Sequence, residues 1–115
     1  MESYHWDEIV SHDKGDRIQS VIAGERITVL RQRIRAGEKI YNPHAHHQEQ
    51  ISIVLEGKAK FFFGDKEVVL SRGGVVVFPP DKEHATENVG SGDLVIEEIF
   101  SPGNEILNEI AATPD

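Results

Sequence analysis

Three of the six histidines in this chain, His44, His46 and His84, sit where metal ligands would sit, and a glutamine, Gln50, stands beside them. Residues two apart on an extended strand point to the same side with Cα atoms roughly 6.8 Å apart. His44 and His46 can therefore turn two imidazoles toward one ion, each at about 2.0–2.1 Å. Gln50 has the same parity, but on a straight strand it would lie about 13 Å beyond His46. A tight turn in residues 47–49 must bring it back. His84 follows the turn Pro79-Pro80-Asp81 and has to arrive on a separate strand, as a rolled sheet permits. Three neutral imidazoles and an amide oxygen make a donor set for a divalent transition metal, and such a set accepts Zn, Ni, Fe, Mn or Cu. The competing fourth ligand is Glu49, which has the wrong parity. His5, His12 and His47 read as ordinary hydrogen-bonded or solvated side chains; His47 points away from its neighbours by parity.

The elements that would hold this group are short strands. Residues 26–35, 51–55, 59–63, 67–70, Val75–Phe78 and 94–100 are β-branched and aromatic runs. Turn signals separate them: Ala36-Gly37, Glu56-Gly57, Gly64-Asp65, Arg72-Gly73-Gly74, Pro79-Pro80-Asp81 and Gly90-Ser91-Gly92. Many short strands at such regular spacing predict an all-β antiparallel sandwich or barrel. Phe61, Phe63 and Phe78 read as its core. Residues 1–24 are mixed and polar and read as an N-terminal arm, with a loop at 11–17. Across residues 103–112 the apolar positions Ile106, Leu107, Ile110 and Ala111 recur with helical spacing, which predicts a short C-terminal helix. The 115 residues suffice for one domain, with the barrel at 25–100 and the tail at 101–115.

Composition narrows the chemistry. With no cysteine, neither disulfides nor thiolate catalysis nor Cys-ligated zinc or iron–sulfur sites are possible. A net charge of −8 argues against nucleic acid or an anionic membrane as the main partner, since both require a basic footprint. The apolar runs are too short to span a bilayer, and no cationic leader opens the sequence, so the expected location is cytoplasmic. A small-molecule substrate is the expected partner.

With these residues in place, the sequence resembles the cupin superfamily. Gly37, six residues, His44-Ala45-His46, three residues, Gln50, six residues and Gly57 have the form of its first motif. Gly73, five residues, Pro79-Pro80-Asp81, two residues, His84, three residues and Asn88 have the form of its second, with Asp81 in place of the usual glycine. Both residue types tolerate positive φ. The resemblance implies a cupin (RmlC-like) double-stranded β-helix, or jelly-roll barrel, with one metal on His44, His46, Gln50 and His84. It also implies a homodimer, in which the arm with Trp6, Ile9 and Val10 would supply contact. An amide at the family's carboxylate position leaves a divalent site at full charge and favours an anionic oxygen ligand. A narrower likeness is to the small cupins of pectin breakdown, which open unsaturated galacturonate to its keto form. Where that family carries an Asp before the Phe-Ser-Pro segment, this chain has Glu98, and where it carries an Arg, this chain has Asn104. The usual clamp for a uronate carboxylate is missing.

Along residues 94–100, alternation places Leu94, Ile96, Glu98 and Phe100 on one face. If that face is inward, Glu98 is a carboxyl among apolar neighbours and an acid or base suited to neutral pH. The other reading leaves it solvated or pairs it with an arginine such as Arg31 or Arg33. Tyr41, Arg33 and Phe100 complete the expected substrate contacts. The leading expectation is an enzyme using its metal as a Lewis acid while Glu98 moves a proton, in ring opening, tautomerisation or lyase chemistry. A dioxygenase, recognisable by oxygen consumption, and a non-catalytic metabolite-binding cupin are the alternatives.

Overall fold

The computed structural model describes residues 1–39 and 41–114; position 115 of the expected tail lies outside them. The strands in chain order are β1 (His12–Asp13), β2 (Arg17–Ala23), β3 (Thr28–Ile34), β4 (Glu49–Glu56), β5 (Lys58–Phe63), β6 (Lys66–Ser71), β7 (Val75–Phe78), β8 (His84–Asn88) and β9 (Leu94–Ser101), followed by the helix α1 (Glu105–Asn108). One sheet has the order β1-β2-β3-β9-β4-β7 and the other β6-β5-β8, with antiparallel pairing throughout. Residues from both sheets share one core: Ile34, Val54, Phe78, Leu94 and Ile96 from the first and Ala59 and Phe61 from the second. The two inner faces thus close on each other as a jelly-roll barrel. Phe63 packs against this core from its margin. No helix among the described residues is long and apolar enough to cross a membrane.

The chain changes sheets at Gly57, between β4 and β5. A register shift between Val54 and Glu56 bends the end of β4, and Gly57 adopts φ 87°. A Cβ there would lie 2.4 Å from the Asp93 carbonyl oxygen. Positive φ costs an L residue about 1–2 kcal/mol, and the clash adds to it. Gly57→Ala is expected to destabilise the protein by at least about 2 kcal/mol, seen as a lower urea midpoint with an unchanged slope. An unchanged midpoint would mean that this corner yields.

Three boundaries differ from expectation. The arm ends earlier than residue 24, because β2 lies within it and pairs along its whole length with β3, from Arg17↔Ile34 to Ala23↔Thr28. Hydrophobic alternation hides this strand: Arg17, Gln19 and Val21 face inward, while Ile18, Ser20 and Ile22 face outward. Residues 84–88 also form a strand, β8, on the far side of β5. The helix is shorter than its apolar spacing predicts. Asn104 caps it, its Oδ1 accepting from Leu107 N–H at 3.0 Å, but the Ala112 N–H donates to the Val21 carbonyl (2.9 Å), which draws the tail onto β2. Leu107, Ile110 and Ala111 pack against Val21, Leu30 and Phe100, whereas Ile106 points to solvent.

A candidate metal centre in the barrel

The segment carrying His44 and His46 is not a regular strand. His44 makes a single antiparallel bridge to His84, with two backbone hydrogen bonds of 3.0 and 2.9 Å. The Asp81 N–H donates to the His46 carbonyl (2.8 Å), and Asp81 takes φ 65°, the conformation usually left to glycine in this motif. The chain bends at His47 and Gln48, where the buried Gln48 amide donates to the Gly103 carbonyl (3.1 Å). It then enters β4 with Gln50 as the second residue. The ligand segment is therefore laid across the turn before β8, and the bend returns Gln50 to the histidines. His47 and Glu49 are exposed, in keeping with their parity.

The side-chain nitrogens of His44, His46 and His84 lie within 4.8 Å of one another. Each ring is oriented by a backbone carbonyl at its Nδ1: Asn42 for His44 (2.8 Å), Gln48 for His46 (3.0 Å) and Lys82 for His84 (3.0 Å). A carbonyl only accepts, so each Nδ1 is a donor, and in the metal-ligating tautomer that this fixes the Nε2 lone pair is the one turned toward the group. Gln50 is 2 % exposed. Its Nε2 donates to Ser52 Oγ (2.9 Å), which turns Oε1 to within 2.9 Å of His46 Nε2 and 3.1 Å of His84 Nε2. Acceptor lone pairs thus converge with no donor among them, an arrangement that a cation relieves. Two ligand atoms bound at about 2.1 Å and at right angles are about 3.0 Å apart, so the spacing suits one divalent ion. The outer contacts match those by which metal-bound histidines are held in other proteins.

Aromatic rings steady the group. Phe78 stacks on His84 with centroids 4.3 Å apart and planes at 11°, and Phe100 meets His46 edge-on at 5.5 Å. Burial, first of all, and the neighbouring His44 and His46 push the His84 pKa down to about 4, so this ring stays neutral across physiological pH. Ser52→Ala removes the partner that orients Gln50, and metal affinity is expected to fall by roughly 10–100-fold in competition with a chelating dye. Affinity equal to wild type would show that Gln50 needs no such support.

A cavity of about 350 Å³ opens beside the histidines and is lined by Leu30, Gln32, Phe100, Glu98 and Arg17 together with His44, His46 and Gln50, among others. Glu98 is buried and pairs in register with Leu30 on one side and Ser52 on the other. Desolvation pushes its carboxyl up to about 7, against the positive field of Arg17 and a hydrogen bond from Gln32. The Gln32 amide donates to Glu98 Oε2 (3.4 Å) and accepts from Gln19 Nε2 (3.3 Å). The pairing of Glu98 with Arg31 or Arg33 is overturned: Arg31 meets Glu97 (3.4 Å) and Arg33 meets Glu56 (3.2 Å) and Asp93 (3.1 Å), all on the outer face. Arg33 is accordingly withdrawn as a substrate contact, because β3 turns its odd positions outward. Phe100 does line the cavity. Tyr41 is exposed and lies edge-on to Phe62 (4.9 Å), lining a smaller hollow of about 200 Å³ on another side of His84. Asn104 reaches the cavity as a helix cap. Arg17, Gln19 and Gln32 are polar lining residues that sequence reasoning missed, as it missed Ser52, which lies behind the wall and holds Gln50.

Comparison with known proteins agrees with this architecture. Residues 30–100 match the family described as the cupin domain. The fold is similar to that of an RmlC-like cupin from Shewanella frigidimarina (TM-score 0.80, 21 % identity, 91 % of this chain and 96 % of that one). KdgF from Halomonas sp. is similar too (TM-score 0.79, 23 % identity, 90 % and 96 %), as is the cupin domain of Schizosaccharomyces pombe Cnp3 (TM-score 0.76, 13 % identity, 93 % and 77 %). No curated protein matches the sequence. From the match over most of the barrel, and from the His group that both motifs build, the chain belongs to the cupin domain family.

Proposed function

We propose that this chain is a metal-dependent cupin enzyme acting on a small polar substrate by ring opening, tautomerisation or lyase chemistry, with His44, His46, Gln50 and His84 as ligands and Glu98 as the proton-transferring residue. The observation that carries this reading is Glu98: a buried carboxyl, held near neutral pKa, on the wall of the same cavity as the ligand group. A divalent ion bound there supplies Lewis-acid polarisation of a substrate oxygen. The remaining work falls to the chain. Leu30 and Phe100 exclude water from the wall around Glu98. Gln32 donates to Oε2, which leaves Oε1 to take up or release the proton at a substrate carbon or oxygen. A group titrating near 7 serves as acid and as base at physiological pH. The likeness to pectin-breakdown cupins makes unsaturated galacturonate the first substrate to offer.

The test is turnover of unsaturated galacturonate by metal-loaded protein under air and under nitrogen. Equal rates in both support the proposal. Oxygen uptake coupled to turnover would replace it with a dioxygenase, and binding without turnover with a metabolite-binding cupin. The reading extends to a homodimer in the cytoplasm. Supporting the dimer, the outer face of the large sheet carries a cross-strand apolar row, Ile22, Val29, Ile99, Ile51 and Val77, with Val77 59 % exposed. Trp6 of the arm packs on Arg31 of the same face at 4.6 Å. Light scattering is expected to give the mass of two chains.

A further inference from the structure

The cavity beside the candidate metal group has a charged wall that no motif announces. Arg17, the first residue of β2, pairs in register with the inward-facing Ile34 and lines the cavity together with Glu98, His44, His46 and Gln50. Its Nε is buried without a hydrogen-bond partner, and the acid beside it, Asp16, stands 3.9 Å from that nitrogen, beyond hydrogen-bond reach. Arg31, whose Nε is also without a hydrogen-bond partner, pairs with Glu97, Arg33 with Glu56 and Asp93, and Arg35 with Asp13, and none of the three lines this cavity. The polar neighbours of Arg17 are occupied as well, since Gln19 donates to Gln32 and Gln32 to Glu98. An unpaired buried N–H is costly, and a planar guanidinium fork is matched best by a planar anion.

We propose that Arg17 is the specificity-determining residue of this site, pairing with the carboxylate of a small carboxylate substrate whose other oxygens face the histidine group. The inference rests on the metal-dependent reading above and deepens it. It replaces the clamp whose absence at Asn104 left the substrate class open: the cation comes from β2, at the start of the barrel, instead of from the segment after β9. Carboxylate is favoured over phosphate because the described lining residues include no second arginine or lysine to share a dianion, and α1, with four residues, offers no anion site of its own. In a chain of net charge −8, where bulk electrostatics repel anions, such a local cation decides which anions enter.

Calorimetric titration of metal-loaded protein with D-galacturonate, D-galactose and inorganic phosphate tests the assignment. The two sugars differ only in whether the terminal carbon is a carboxylate or an alcohol. Wild type is expected to prefer galacturonate over galactose by at least about 10-fold. Arg17→Gln should lose that preference, Arg17→Lys should retain part of it by keeping the charge without the fork, and the exposed Arg72→Gln should bind like wild type. Galacturonate bound equally by wild type and Arg17→Gln, no preference over galactose in wild type, or phosphate binding more tightly than galacturonate would each overturn the proposal. Should Arg17→Gln fail to fold, the sugar comparison in wild type and Arg17→Lys still decides. The metal content of the same samples separates the two readings: a stoichiometric metal without carboxylate preference sinks only the Arg17 assignment. Carboxylate preference that depends on Arg17 in protein that takes up no metal sinks only the metal centre.

Discussion

His46→Ala protein is expected to retain no stoichiometric divalent metal, with affinity lowered by more than roughly 100-fold, since even outer-sphere partners of a metal site are worth about 10–100-fold. His46 is the informative ligand to remove. Its Nε2 stands 2.9 Å from Gln50 Oε1, so its loss opens the centre of the donor set. Its backbone carbonyl, which accepts from Asp81, survives in alanine, and outside the ligand group the fold loses only the ring's bond to the Gln48 carbonyl and its edge contact with Phe100. The fold should therefore persist while the site is lost. The difference shows in thermal melts as well as in elemental analysis. Metal at 100 times its dissociation constant stabilises a binding-competent fold by about 2.7 kcal/mol, so the wild-type midpoint rises on metal addition and that of the variant does not. His47→Ala, altering an exposed ring that points away, is the control and should match wild type. Equal metal content in His46→Ala and wild type would remove the centre from consideration.

The second large effect belongs to Glu98. Glu98→Gln should keep its metal and lower turnover by roughly 100- to 10,000-fold, the range over which a positioned acid or base contributes. Glutamine has the shape of the protonated acid but cannot exchange the proton. The same variant has a thermodynamic signature that is independent of any substrate. In the unfolded chain this carboxyl ionises near 4.5, and in the barrel near 7. Below about 4.5 both states hold the proton and Glu98 carries no ionisation penalty. Between the two values the unfolded chain has released a proton that the folded one retains, so stability declines as pH rises, and above about 7 the full loss of roughly 3 kcal/mol remains. Glu98→Gln should abolish that decline, and at pH 8 the metal-free variant should be the more stable protein by urea denaturation. A divalent ion in the same cavity favours the carboxylate, so chelated samples give the larger difference. Parallel pH–stability curves for the two proteins would mean that Glu98 is not buried as an acid.

What the sequence determined by itself is whatever depends on spacing along the chain. The strand and turn alternation carried the all-β class. The two motif spacings carried the family and singled out His44, His46 and His84, which the fold gathers within 4.8 Å of one another, with Gln50 turned toward them and Glu49 exposed. Even the positive φ at Asp81 could be anticipated from the glycine it replaces. Period-two alternation likewise put Glu98 and Phe100 on one face. The tertiary structure alone decided which face that was and what stood opposite. Arg17 and Gln19 went unnoticed because β2 reverses the usual pattern, with polar residues inward and Ile18 and Ile22 outward. A strand that lines a polar cavity reads, from alternation alone, as no core strand. Arg33 was misjudged for the complementary reason: its charge was visible, but its direction was set by pairing with β2 and β9. Ser52 gained its place between Gln50 and Glu98 only through the β4–β9 register. The chemistry of a barrel interior depends on neighbours supplied by strands distant in sequence, and those neighbours are assigned by register and closure, which a linear pattern does not contain.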